Sequence, residues 1–129
     1  HGRGSGDDRA RRFSNRPGSF QSSLGTFVTG SVYQGRHGIA LRLRGLDPGV
    51  NDRAEARAIV VHGAPYVSQE VAARLGRVGR SQGCPALSVE AAARVIELIR
   101  DGTGVYAYYS PRRATVRHGG RLPRVFPTH

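Results

Sequence analysis

The chain has 129 residues, 20 of them arginine and none lysine, against nine acids, for a formal charge of +11. That length holds one domain, and no run of 18 apolar residues is present to act as a membrane-spanning helix. A single cysteine excludes an internal disulfide, no signal-peptide pattern is present, and no His/Cys/Asp/Glu group has metal-ligand spacing, so neither metal nor cofactor is expected. The charge is uneven. Residues 1–18 carry five Arg and two Asp, residues 110–129 carry five Arg and no acid, and the 91 residues between them carry ten Arg and seven acids. The expected organisation is a flexible basic segment over 1–18, a folded domain over 19–109 and a basic Arg/Pro-rich tail over 110–129.

In chain order, alternating apolar residues predict strands at about 26–33 and 38–44, joined through the turn residues Gln34, Gly35 and Arg36 as a hairpin. Asn51 or Asp52 is positioned to cap a short helix across 52–57. The apolar run Ala58-Ile59-Val60-Val61 then predicts a buried strand over 58–62. Ser68 caps a second helix over 69–75, closed by Gly76. The strongest helix signal is 89–100, with Ser88 as N-cap, Glu90 in the first turn and Gly102 beyond the end. Its Val89, Ala92, Ala93, Ile96 and Ile99 recur at helical spacing and predict a core-facing stripe. Val105-Tyr106-Ala107-Tyr108-Tyr109 reads as a final, packed strand. The fold class is mainly β with a few short helices, in a single domain.

The only thiol, Cys84, lies in Gly79-Arg80-Ser81-Gln82-Gly83-Cys84-Pro85-Ala86. A lone cysteine is most often a small buried hydrophobe, but this one is framed by Gly83, which lets a substrate approach the backbone, and by Pro85, which biases Cys84 toward an extended conformation. Pro85 has no N–H, so an oxyanion would have to be held by N–H groups of Cys84, Gly83 or Gln82. A free thiol has a pKa of about 8.5, which a neighbouring imidazole lowers. Of five histidines, His1 and His129 are terminal and His118 lies in the basic tail. His62, which follows the buried run, is the expected base, and His37 in Gly35-Arg36-His37-Gly38 is a cleft candidate.

His62-Gly63, then 17 residues, then Ser81-x-Gly83-Cys84 resembles the signature of the L,D-transpeptidases, the YkuD-like bacterial enzymes that remodel peptidoglycan. The loop at 79–86 is most similar to the branch known as murein L,D-transpeptidase catalytic domain proteins, where it reads Gly-Arg-Ser-x-Gly-Cys-Pro-Ala. The similarity extends through Gly25–Gly30, Tyr33–Gly38, Leu41–Leu46 and Asn51–Ala54, covering roughly residues 19 to 109. One departure stands out: most YkuD-like enzymes carry a second histidine where this chain has Gln82.

The resemblance implies a mixed β-sandwich or barrel of the L,D-transpeptidase type and an extracytoplasmic location. It implies Cys84 as nucleophile on the third residue of a tetrapeptide stem, releasing the terminal D-Ala and passing the acyl group to an amine in a 3→3 cross-link. His62 would be the acid/base, with the Gly63 carbonyl orienting its ring, and the N–H groups of Gly83 and Cys84 would hold the oxyanion. Arg80, Ser81, Gln82, Tyr33 and His37 are the expected substrate contacts. The partners implied are peptidoglycan stem peptides, with anionic wall polymers drawn to the basic tails, and the protein is expected as a monomer with no specific nucleic-acid partner. Two other readings remain open on sequence alone. One is a cysteine peptidase acting as an L,D-carboxypeptidase, which differs only in the acceptor. The other is a basic module binding nucleic acid or another anionic polymer, which leaves the Gly-Cys-Pro loop unexplained.

Overall fold

The hairpin forms first in sequence and supplies the centre of the sheet. The computed structural model describes residues 1–36 and 38–110. Strand β1 (Gly25–Gly35) runs antiparallel to β2 (Gly38–Gly45), with Phe27 opposite Gly45 and Gly35 opposite Gly38, and the register shifts between Thr29 and Val32. β3 (Val60–Gly63) adds antiparallel to β2, and the two-residue β4 (Ala86–Leu87) adds parallel to β3. On the far side of β1 lies antiparallel β5 (Gly104–Ala107), giving the order β4-β3-β2-β1-β5. The result is a curled, mixed five-strand sheet, a half-barrel, in one small mainly-β domain as expected.

Alternation along the strands selects the core face. Leu41 and Leu43 of β2 are fully buried while Arg42 and Arg44 are exposed. Phe27, Leu41, Leu43 and Val61 pack with Ala54 and Ile59 and with Ala92 and Ile96 of helix α2 (Val89–Ile99). Each fully buried aliphatic side chain contributes on the order of 2 kcal/mol. Gly63 is where α2 crosses the sheet: a Cβ there would lie 3.0 Å from Ala92 Cβ, so any larger residue would push the helix away. Ser88 caps α2 by accepting from Ala91 N–H (3.2 Å), and Ser68 caps α1 (Gln69–Leu75) by accepting from Val71 N–H (3.1 Å). Gly76, at φ +74°, ends α1 as its sequence position predicts.

Several expectations are corrected. The stripe on α2 is narrower than its periodicity suggested, because Ala92, Ile96 and Ile99 reach the core whereas Val89 and Ala93 are exposed. Residues 52–57 form consecutive turns instead of a helix. The Asn51 side chain, which would have capped it, is drawn into the hairpin, and Ala58 adopts φ +54°, which closes the turns just before β3. β3 therefore begins at Val60. Tyr106 and Tyr108 are not packed: on an edge strand where Val105 and Ala107 turn inward, their rings face solvent and stack at 6.1 Å between centroids.

The first residues of the 1–18 segment, expected as flexible, lie beside the loop that carries Cys84. Arg3 N–H donates to Ser81 O (2.8 Å), Ser81 N–H donates to His1 O (2.9 Å), and Gly2 bridges Ser81 in parallel. Ser5 is fully buried in a 3-10 turn, where its hydroxyl accepts from Ser22 N–H (2.9 Å). The basic tail from 111 onward, and His37, fall outside the described residues.

Asn51, also fully buried, ties the turn region to the hairpin. Its Oδ1 accepts from Asp47 N–H (2.8 Å), and its Nδ2 donates to Leu24 O (3.0 Å) and Thr26 O (2.9 Å). Asn51→Ala strands Asp47 N–H and Leu24 O, while Thr26 O keeps its bond from Leu46 N–H, so a loss of about 3 kcal/mol is expected. Urea unfolding measures it, and a loss below about 0.5 kcal/mol would show that the interior accommodates those groups in another way.

Candidate active site

The loop before β4 is shaped by hydrogen bonds among its own residues. The buried Ser81 hydroxyl donates to Cys84 O (2.6 Å) and accepts from Gly83 N–H (3.1 Å), closing residues 81–84 into a tight turn. Gly83 has φ +131°, a conformation that L side chains rarely adopt. A Cβ there would also meet Gln21 O at 3.0 Å and Ile59 Cδ1 at 3.1 Å. Ser22 braces the loop from outside, donating to Gly83 O (3.0 Å) while accepting from Gly2 N–H (2.9 Å). Ser81, expected as a substrate contact, has its hydroxyl engaged within the loop itself.

Cys84 is half-buried, with its Sγ against the backbone leading into β3. It accepts from Val60 N–H at 3.5 Å and lies 3.6 Å from Ala58 O. Burial pushes the thiol above its ordinary pKa, an effect opposed by the Val60 N–H and by the charge of Arg57. The expectation of an imidazole-lowered thiol is thus not met at rest. The two side chains sit on neighbouring strands, with His62 opposite Ala86, and no hydrogen bond joins the Cys84 thiol to His62. Nδ1 of His62 lies 3.0 Å from Gly63 O, a distance at which Nδ1–H donation leaves Nε2 as the basic nitrogen. Val61 faces the core, so strand alternation turns His62 to the opposite face of the sheet.

The backbone donors of the loop are unequal. Gly83 N–H is taken by Ser81, whereas Cys84 N–H and Gln82 N–H have no hydrogen-bond partner among the described residues. Gln82 and Cys84 both border a cavity of about 330 Å³ that opens between residues 17–20 and the turn at 57–59. Arg80 points elsewhere and pairs with Asp7 at 2.8 Å. Tyr33 lies under Arg42, whose guanidinium carbon is 4.3 Å from the ring centroid.

Two neighbours of the thiol went unread in the sequence. Arg57 lines the same cavity, and its charge acts on Cys84. Its one signal is a place directly before the apolar run of residues 58–61, which is weak in a chain with 20 arginines. Tyr66 packs against Gly79, whose N–H donates to Tyr66 O (2.8 Å), and its phenol is pushed above its ordinary pKa by burial and by the nearby Cys84. Among the described residues no group of three or more His, Cys, Asp or Glu is placed to hold a metal, and no helix is long and apolar enough to cross a membrane.

The sequence matches the L,D-transpeptidase catalytic domain over residues 1–108, and the chain belongs to that family. Peptidoglycan is accordingly its substrate class. The match begins at residue 1, so it includes the segment that lies beside the thiol loop. No curated protein and no solved structure matches the chain.

Proposed function

We propose that this protein is a cysteine-dependent L,D-transpeptidase acting outside the cytoplasm on peptidoglycan stem peptides. The observation that carries the reading is the pairing of strands β3 and β4, which places the Cys84 loop beside His62, whose Nδ1 is engaged by Gly63 O at 3.0 Å. The Cys84 thiolate attacks the carbonyl of the third stem residue, and the resulting oxyanion is received by Cys84 N–H and Gln82 N–H, the loop donors with no hydrogen-bond partner. Gly83, expected as a donor, serves instead through its backbone conformation, because its N–H holds the turn.

Nε2 of His62 takes the thiol proton and delivers it to the leaving D-Ala nitrogen as the tetrahedral intermediate collapses to a thioester. The acceptor amine then attacks the thioester, His62 removes its proton, and the thiol is regenerated. The resting thiol sits on Ala58 O and Val60 N–H, so the reaction begins with a rotation of the Cys84 side chain toward the imidazole. Substrate contact falls to Gln82 at the cavity, with Tyr33 of β1 and with His37, four residues further along the chain. Arg80 contributes after release from Asp7. The chemical core takes in residues 19–109 together with the N-terminal segment that braces the thiol loop, and the tail at 110–129 supplies attraction to anionic wall polymers.

Incubation with a disaccharide tetrapeptide should release D-Ala and yield 3→3 dimers, and a carbapenem should add its full mass to Cys84 in intact-mass analysis. D-Ala release without dimers, even with excess amine, would make the protein an L,D-carboxypeptidase. An adduct elsewhere, or none, together with no D-Ala release would end the reading.

A further inference from the structure

One guanidinium organises the wall of the thiol cavity. Nη1 of Arg57 donates to Ser14 O (2.8 Å) and Ser23 Oγ (2.9 Å), and Nη2 donates to Ser19 Oγ (3.2 Å) and Gln21 O (2.7 Å). All four acceptors are neutral. The ion pairs among the described residues are Arg80–Asp7, Arg100–Glu97 and Arg100–Asp101, so no carboxylate balances Arg57, and none lines the cavity. A partly buried guanidinium without a counter-ion is unfavourable unless an anion arrives to meet it. The charge also stands at the nucleophile loop, since a Cβ on Gly83 would lie 3.3 Å from Arg57 Nη2. The remaining donor, Nε–H, has no partner among the described residues.

We propose that Arg57 makes this cavity a carboxylate-accepting subsite, selecting ligands that carry a free carboxylate a few atoms from the bond that Cys84 attacks. The inference rests on Cys84 as the reactive group and deepens the proposed function. In a stem tetrapeptide the matching group is the terminal α-carboxylate of the leaving residue, three bonds from the scissile carbonyl carbon. Arg57 stays bound to the 14–23 segment and acts through its charge and its free Nε–H, so it positions the ligand without being consumed as a proton donor. Tyr66, the other titratable side chain that interacts with the thiol, is kept neutral by its raised pKa.

The test compares alkylation of Cys84 by anionic iodoacetate and by neutral iodoacetamide, followed by intact mass, with free cysteine as reference. Both reagents consume the same thiolate, so their rate ratio cancels its population and reports the charge around it. The wild-type iodoacetate/iodoacetamide ratio should exceed that of free cysteine by roughly tenfold at low salt and fall as salt is added. Arg57→Lys should retain most of the excess and Arg57→Gln should lose it. A wild-type ratio at or below the free-cysteine value overturns the proposal, as does an unchanged ratio in a folded Arg57→Gln. If Arg57→Gln does not fold, the wild-type ratio and its salt dependence decide the matter alone. Failure of both reagents to label Cys84 also overturns it, because the cavity would then not admit small anions. A raised ratio in a protein that turns over no stem peptide would keep the subsite and remove the transpeptidase reading.

Discussion

Cys84→Ala is expected to abolish acyl transfer, with turnover on a tetrapeptide stem falling at least about a thousandfold, while the domain remains folded. The thiol is the chain's only sulfur nucleophile and borders the cavity at the end of β3. Alanine keeps the Cβ and the extended backbone that Pro85 favours, and it leaves the turn held by Ser81 Oγ undisturbed. What it removes is one sulfur packed at the margin of the core, together with a long contact to Val60 N–H, a change costing about 1 kcal/mol. D-Ala release followed by chromatography, alongside a thermal melt by circular dichroism, separates the two effects. Wild-type turnover in the alanine variant would remove Cys84 from the chemistry, and a collapsed melt would show that its main role is packing.

How much of this site was readable depends on sequence separation. Ser68 and Ser88 cap their helices through bonds to residues three positions away, so their sequence context was sufficient. The β1–β2 hairpin is equally local. The 79–86 loop announced itself because its signals, Gly83, Cys84 and Pro85, are consecutive. By contrast, β4 has two residues and exists only because β3 offers a parallel edge, an arrangement with no local periodicity to betray it. The turns at 52–57 look helical until Asn51 is seen bonding to Leu24 and Thr26, some 25 residues away. Arg57 is the extreme case: its four acceptors, Ser14, Ser19, Gln21 and Ser23, lie 34 to 43 residues earlier, in a stretch with no strand or helix signal of its own. Composition marked residues 1–18 as solvated because it weighs charge and glycine content. The structure uses those same small residues to bring the backbone against the thiol loop, where a side chain at Gly2 would collide with Phe20 O.

His62→Ala should divide turnover from resting thiol reactivity. General acid/base assistance contributes about 10² to 10⁴ in rate, so turnover should fall within that range. The resting thiol, however, touches the backbone of residues 58 and 60 and makes no hydrogen bond to the imidazole. Alkylation by neutral iodoacetamide should therefore rise with pH along the same curve in wild type and in His62→Ala. The sign follows from the thiolate being the nucleophile. Burial raises the pKa of Cys84, so less thiolate is present at neutral pH than a free thiol would have, and the rate climbs as pH passes upward through the raised value. An enzyme whose imidazole already held the thiolate at rest would instead lose a plateau at low pH when His62 was removed. Seeing that plateau in wild type and its disappearance in His62→Ala would mean that the Cys84 side chain rests toward the imidazole in solution and that no rotation is needed. Loss of turnover in His37→Ala with full activity in His62→Ala would place the base on the hairpin and leave the Nδ1–Gly63 contact a structural one.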